Sequence, residues 1–535
     1  MALITLLGVV LTIIAGAYAL DIFVFFVRDS REPQYVRSHV PLIGHLIGIS
    51  KRGAGWYYTD VASNQPSGIF TLPIFTYKLY VISERKLISA IQRHAKTISF
   101  TPFAAKTSKT LSGLEDIVMR TQDHLQGPPE AKEFDRVQRA SMSAGPDLDA
   151  MALVSARVTL ELVEELAMKA KAGAGTRIEL YTWLKHNIAL SASEGMIGPM
   201  NPFRDPEHEA DFWTFAEKSH ILVMGGLMRQ ILARNALQAR ERNAVRYENY
   251  IRNGGHEEAS GVVKGRCRVL EENGATVRDM GRIHIGFDMA MLANYAPTAF
   301  WAVYEILSHP RLVQEIREEV RKAVSKGDEG EWALDISILK TACPLLLSSI
   351  QEAQRVNSVQ AGTREILRDT IITTEDTSVL LKKGSYLQIT GISTLRDLET
   401  WGSDAADFDL YRFIKMKRPG TATPVVAAAS ELPPNAFSVW GVAPHVCPAR
   451  WYATGGIMVL VATLVLRFDF NVEGDLQIHG GSEVSWRKPK AAKDFSTLPA
   501  PGELVPVLLQ ARKEFSGRWD VKICKPSTRL QLSVP

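Results

Sequence analysis

The distribution of apolar and polar positions changes several times along this chain. Residues 2–27 form an almost unbroken apolar run, interrupted once by Asp21. As a helix this run is roughly 39 Å long, more than the ~30 Å hydrocarbon core of a bilayer. Arg28, Arg31 and Arg37 follow it, and no basic side chain precedes it. The positive-inside rule then keeps the C-terminal flank cytoplasmic. Ala17-Tyr18-Ala19 resembles a signal-peptide cleavage site, but a basic n-region is missing and the apolar run resumes after Asp21. A retained single-pass anchor over residues 1–27 fits better. Residues 28–48 carry Pro33 and Pro41 and read as a stiff, non-helical hinge.

The pattern differs in residues 49–535. Residues 68–83 are rich in β-branched and aromatic side chains and predict a hairpin. Residues 149–170 place Met151, Leu153, Val154, Val158, Leu160, Leu162, Val163 and Leu166 at helical spacing. Helical character is also expected over 207–250, with an apolar patch at 221–228, and over the apolar stretch 283–307. Short strands are expected at 68–83, 365–390 and the C-terminus, and loops at Gly254-Gly255, 326–331 and 417–435. No repeat, low-complexity block or wide linker divides this part. The expected architecture is mainly α with small β-sheets, one domain behind an anchor.

Composition narrows the function. The chain has 535 residues, 46% hydrophobic, and 62 Lys+Arg against 58 Asp+Glu leave a net charge of +4. That balance argues against a nucleic-acid binder, and the apolar content excludes disorder. Cys267, Cys343, Cys447 and Cys524 are too few for a disulfide scaffold and too scattered for a zinc cluster.

Four constellations carry chemistry. Trp440-Gly441-Val442-Ala443-Pro444-His445-Val446-Cys447-Pro448-Ala449-Arg450 leads into an apolar helical run. A thiolate there is favoured by the helix N-terminus, so Cys447 is either a metal ligand or a buried free cysteine. Glu352 and Arg355 stand three apart on one helix face and form either a functional pair or an ordinary surface pair. Arg412, flanked by Tyr411 and Phe413, either completes a triad with Glu352 or sits in a solvated loop. Asn294 and Thr298 bracket Pro297, which should kink the 283–307 helix. Asn294 either faces a site there or caps the kinked backbone.

In this order, from the anchor to at least residue 470, the chain resembles the cytochrome P-450 family of haem-thiolate oxygenases. The cysteine loop matches the family pattern F-G-x-G-x-x-x-C-x-G at Gly441 and Cys447, with Trp440 for Phe and with Ala443 and Ala449 for Gly. The kink departs further from the usual A-G-x-D/E-T-T: Ala296 replaces the acid and Pro297 the first Thr. Its N-x-x-P-x-x-F-W form is similar to the branch holding sterol 7α- and 12α-hydroxylases, prostacyclin synthase and fungal relatives. The expected W-x-x-x-R helix near Phe134–Arg139 lacks its Trp, so Arg136 and Arg139 receive no role.

The resemblance implies haem b (iron protoporphyrin IX) with Cys447 as axial iron ligand. It implies that His445 and Arg364 face propionates, that Trp440 shields the sulfur, and that Glu352, Arg355 and Arg412 form a structural triad. Asn294 points to the distal side, and Thr298 orders a water. The implied activity is hydroxylation or epoxidation of a lipophilic substrate such as a terpenoid, sterol or polyketide-like secondary metabolite. It uses O2, and electrons from NADPH through NADPH-cytochrome P-450 reductase. Phe100–Phe103 and the 221–228 patch suit an apolar access route. The protein is expected to be monomeric, in contact with membrane lipid at the endoplasmic reticulum, with its catalytic domain in the cytosol and no nucleic-acid partner. Two alternatives stand beside it: a reductase-independent isomerase or dehydratase acting on a peroxide, and a non-catalytic haem binder.

Overall fold

The computed structural model describes residues 28–74, 77–114, 127–170, 175–224, 226–327, 329–415, 431–473, 477–480, 483–493 and 496–534, together with residue 426 and positions 5, 8, 12, 15–21 and 23. Helices dominate, and many start where the sequence marks a start. Prolines open the helices Pro129–Ser141 (α1), Pro206–Glu217 and Pro344–Asn357 (α4). An N-terminal proline sacrifices an N–H that has no partner there anyway. Thr276 and Asp279 cap the helix Val277–Leu292 (α2) reciprocally.

The expected kink is a break. α2 ends at Leu292, and a new helix, Tyr295–Leu307 (α3), begins after Ala293 and Asn294. Pro297 falls in the first turn of α3, so the backbone bond it cannot donate is the one that would have spanned the break. The 207–250 segment is also divided, into Pro206–Glu217, Ser219–Met224, Gly226–Leu232 and Arg234–Arg252. Leu222 of its apolar patch is buried and Val223 exposed, while the side chains of 224–228 lie outside the described residues. Most of the 417–435 loop also lies outside them.

Six strands form the principal sheet: β1 (Gln34–Tyr35), β2 (Ile69–Ile74), β3 (Tyr77–Ile82), β4 (Ile98–Ser99), β5 (Gln360–Ile366) and β6 (Tyr386–Thr390), in the order β1-β2-β3-β6-β5-β4. β2 and β3 are the expected hairpin, with Ile69 opposite Ile82. β6 pairs antiparallel with β5 and sets Arg364 opposite Leu387. Further strands, such as Thr176–Glu179 and Trp332–Asp335, are too short and too mixed in polarity to stand out in the sequence.

The helix Arg450–Arg467 (α5) is buried along nearly its whole length. A helix surrounded by protein shows no polar face, so its sequence reads as a continuous apolar run. Pro146–Ala170, Leu180–Ile197, α3 and α5 contribute to one large apolar core.

The hinge is docked on the body. β1 pairs with β2, and the helix Gly44–Arg52 crosses the boundary expected at 48. Buried His45 bonds the Tyr57 hydroxyl at 2.8 Å and the Val36 carbonyl at 2.9 Å. Much of the expected anchor lies outside the described residues. Positions 15–21 are helical, and no helix among the described residues is long and apolar enough to cross a membrane. Asp21 accepts from Arg37 at 3.1 and 3.3 Å, which matches the run's single charge to the hinge.

Candidate active site

The loop before α5 is a tight hydrogen-bonded turn. The Cys447 N–H donates to Trp440 O at 2.9 Å, His445 N–H to Val442 O at 3.0 Å and Gly441 N–H to Ser438 O at 3.0 Å. Gly441 has φ 87, and a Cβ there would lie 2.7 Å from the His445 carbonyl. The glycine is therefore required at this position. Ala449, the N-cap of α5, has φ −79, and Ala443 is not among the left-handed residues. Neither alanine takes a left-handed φ, so neither departure from the family pattern demands a glycine there.

Burial raises the Cys447 thiol, while the Ala449 N–H and the charges of Arg450 and Arg139 act the other way. These three groups are what would hold a thiolate. Arg450 Nη1 donates to Cys447 O at 2.9 Å and its guanidinium stacks on Trp451 at 3.7 Å. Arg139, on α1, donates to Val446 O at 3.3 Å and pairs with Asp135 at 2.8 Å. Arg139, which received no role from its sequence context, reaches the cysteine loop. Arg136 points elsewhere, to Glu133. The signal was the arginine at the end of an amphipathic helix, masked by the missing tryptophan.

Arg364 donates only to carbonyls, Thr363 O at 2.8 Å and Val442 O at 3.5 Å. It is 4% exposed and pairs with no carboxylate among the described residues. Burial pushes its pKa down to about 10. A buried guanidinium without a counter-ion is costly unless an anionic group completes it. In the same loop as Val442, the Trp440 Nε1 is buried without a partner among the described residues. Phe100, which the sequence reading named for an access route, lies between His445 (5.6 Å) and Arg364 (5.7 Å). An anionic prosthetic group therefore fits between the loop and β5.

Glu352 and Arg355 are both fully buried. Glu352 accepts from Arg355 Nε and Nη2 at 2.7 Å, from Arg412 Nε at 2.9 Å and from Asp409 N at 3.0 Å. Arg355 also donates to Leu395 O and Ala405 O, and Arg412 to Trp401 O and to the Asp404 carboxylate. The ionic cluster thus ties α4 to the loop that carries Arg412.

From residue 283 through the break, Gly286, Met289, Ala290, Ala293 and Asn294 are the accessible positions. Spacings of three, four, seven and eight put them on one face. The opposite face is packed: Asp288 accepts from the Tyr247 hydroxyl at 2.7 Å, and burial holds its carboxyl well above the usual range. Asn294 is exposed on its face, while Ala296 and Pro297 are buried. The Thr298 hydroxyl donates to Asn294 O at 2.6 Å, and the Thr298 N–H reaches the same carbonyl at 3.2 Å.

Comparison with known proteins settles the family. The family model for cytochrome P450 matches residues 272–491, which hold the break, the ionic cluster and the cysteine loop. Cytochrome P450 monooxygenase nodJ of Hypoxylon pulicicidum is 32% identical over 518 residues, covering 95% of each chain. The chain belongs to the cytochrome P450 family. It is an oxygen-incorporating oxidoreductase, and P450 membership implies a haem cofactor. The 25-hydroxycholesterol 7-alpha-hydroxylase of Rattus norvegicus is 26% identical over 218 residues, covering 40% of this chain and 52% of that one, and agrees with the sterol-hydroxylase branch. A solved structure, retinoic acid bound cyanobacterial CYP120A1, matches with TM-score 0.66 at 15% identity over 90% of this chain and 99% of that one, which establishes the fold.

Proposed function

We propose that this P450 is a membrane-anchored monooxygenase that hydroxylates or epoxidises a lipophilic substrate of the sterol, terpenoid or polyketide-like class. One observation carries the reading: from residue 283 through the break after Leu292, the accessible positions are Gly286, Met289, Ala290 and Ala293 with a single amide, Asn294. A wall this apolar selects for an apolar ligand and gives it one polar contact. The likeness to a 25-hydroxycholesterol hydroxylase supports the same class. Electrons come from NADPH through a membrane-bound reductase. The anchor of residues 1–27 holds the monomer on the endoplasmic reticulum with its body in the cytosol.

Cys447 would ligate haem b, which when bound would supply dioxygen activation. Arg364, His445 and Arg139 would hold its carboxylates, and Trp440 would cover the sulfur. On the distal side, the Thr298 proton is committed to the Asn294 carbonyl. Thr298 Oγ1 therefore offers lone pairs and Asn294 Nδ2 offers hydrogen bonds, so a proton delivered on this face would come from a water that the two side chains hold.

A second reading, rearrangement of a peroxide without a reductase, is favoured by the buried Ala296 and Pro297 where an acid and an alcohol usually stand. Purified protein with reductase, NADPH and a sterol–terpenoid panel separates the two. NADPH-dependent oxygen uptake matched by oxygenated product supports the first reading. Peroxide turnover alone, with no NADPH-dependent product, overturns it.

A further inference from the structure

Tyr295 follows exposed Asn294 and opens α3. Its side chain is buried at 8% exposure, and burial raises its phenol far above the ordinary range, so it stays protonated. The phenol leans on α5. A Cβ added to Gly456 would lie 2.0 Å from Tyr295 Oη and 3.3 Å from its Cζ. Gly456 is thus a notch occupied by the hydroxyl end of Tyr295. The neighbouring Gly455 has no such constraint: a Cβ there would meet nothing within 4 Å.

The contact joins the break after α2 to the helix that follows the cysteine loop. Pro297 supplies no N–H to the Ala293 carbonyl, so the ladder is interrupted at the turn carrying Asn294. At the other end, Gly456 stands in the second turn of α5, whose N-cap Ala449 follows Cys447 by two residues. An aromatic ring has two side-chain torsions, and a ring wedged in a notch fixes both. The phenol also borders a small cleft lined by Ser155, Thr159, Ser191 and Tyr452. A methyl added at Gly456 must therefore displace the phenol or shift α5.

We propose that Tyr295 is a positioning residue whose phenol, seated against Gly456, sets where Asn294 stands relative to Cys447. The inference rests on the reading of Cys447 as axial thiolate and Asn294 as distal residue. Displacing the phenol shifts the Asn294 turn, and with it the affinity for a ligand bound on the distal side.

The test uses the full-length, haem-loaded protein with imidazole as distal probe, and four variants: Gly456→Ala, Gly455→Ala, Tyr295→Phe and the double Gly456→Ala/Tyr295→Phe. Every variant should keep the reduced-CO band at about 450 nm that reports thiolate ligation. Gly456→Ala should change the imidazole Kd about tenfold, as expected for a sub-ångström to ångström displacement near a site. Gly455→Ala should stay within about twofold. The double variant should return to within about twofold of Tyr295→Phe, because the nearest ring atom is then 3.3 Å away. An unchanged Kd in Gly456→Ala, or a double variant as perturbed as the single one, overturns the proposal. If Gly456→Ala fails to load haem, Tyr295→Leu empties the notch without adding an atom; an unchanged Kd there is equally fatal. Absence of the band in the unmodified protein would overturn the Cys447 assignment instead.

Discussion

Glu352→Gln is a sharp test of the buried ionic cluster. Three donors converge on one carboxylate oxygen: Arg355 Nη2 at 2.7 Å, Arg412 Nε at 2.9 Å and Asp409 N at 3.0 Å. The other oxygen receives only Arg355 Nε, at 2.7 Å. The best placement of a glutamine keeps its carbonyl under the three donors. Its NH2 then faces Arg355 Nε, donor against donor. The flipped amide is worse, with three such conflicts. The substitution also removes the carboxylate from Arg355, for which no other is paired among the described residues. Arg412 retains Asp404. Breaking a buried pair from one side costs about 3–5 kcal/mol, or a factor of roughly 100 to several thousand in the folded-to-unfolded ratio. Urea unfolding followed by tryptophan emission, with haem retention read in parallel, measures it. A Glu352→Gln protein within about 1 kcal/mol of the parent would refute the reasoning, because it would mean that the guanidiniums do not depend on this charge.

Three further outcomes are expected. Cys447→Ser should abolish the reduced-CO band at about 450 nm while leaving far-ultraviolet dichroism unchanged; persistence of the band would exclude Cys447 as ligand. Arg364→Met should act with opposite signs in two states: removing an uncompensated buried cation stabilises the haem-free protein by about 1–2 kcal/mol, while haem transfer to apomyoglobin becomes faster. Equal destabilisation of both states would count against the anion site. The His186 imidazole bonds Glu209 at 2.8 Å and so links Leu180–Ile197 to Pro206–Glu217. That carboxylate raises the His186 pKa despite partial burial. Its stabilisation is therefore complete below the ordinary histidine value of about 6.5 and fades as pH rises through the raised value. The urea midpoint should fall across that window, and His186→Gln should flatten the slope; an identical slope in the variant would assign it to other groups.

The sequence by itself determined which residue types stand where, and for local motifs that was enough. Proline starts, the Ile69–Ile82 hairpin, the Glu352–Arg355 spacing and the Gly441–Cys447 turn each depend on neighbours within a few positions, and all are legible. The long helix at 149–170 was visible through its periodicity, and helical character over 283–307 through its apolar run. What the sequence left open were contacts between distant segments. Arg412 joins Glu352 across 60 positions, and Arg139 reaches Val446 across more than 300. Neither distance leaves a local pattern. The same limit hid the break after Leu292, because an apolar run reads alike whether the helix continues or restarts. It also hid that Arg364 pairs with no carboxylate among the described residues. Whether a charge is compensated depends on every chain that folds around it, and only the tertiary structure decides that.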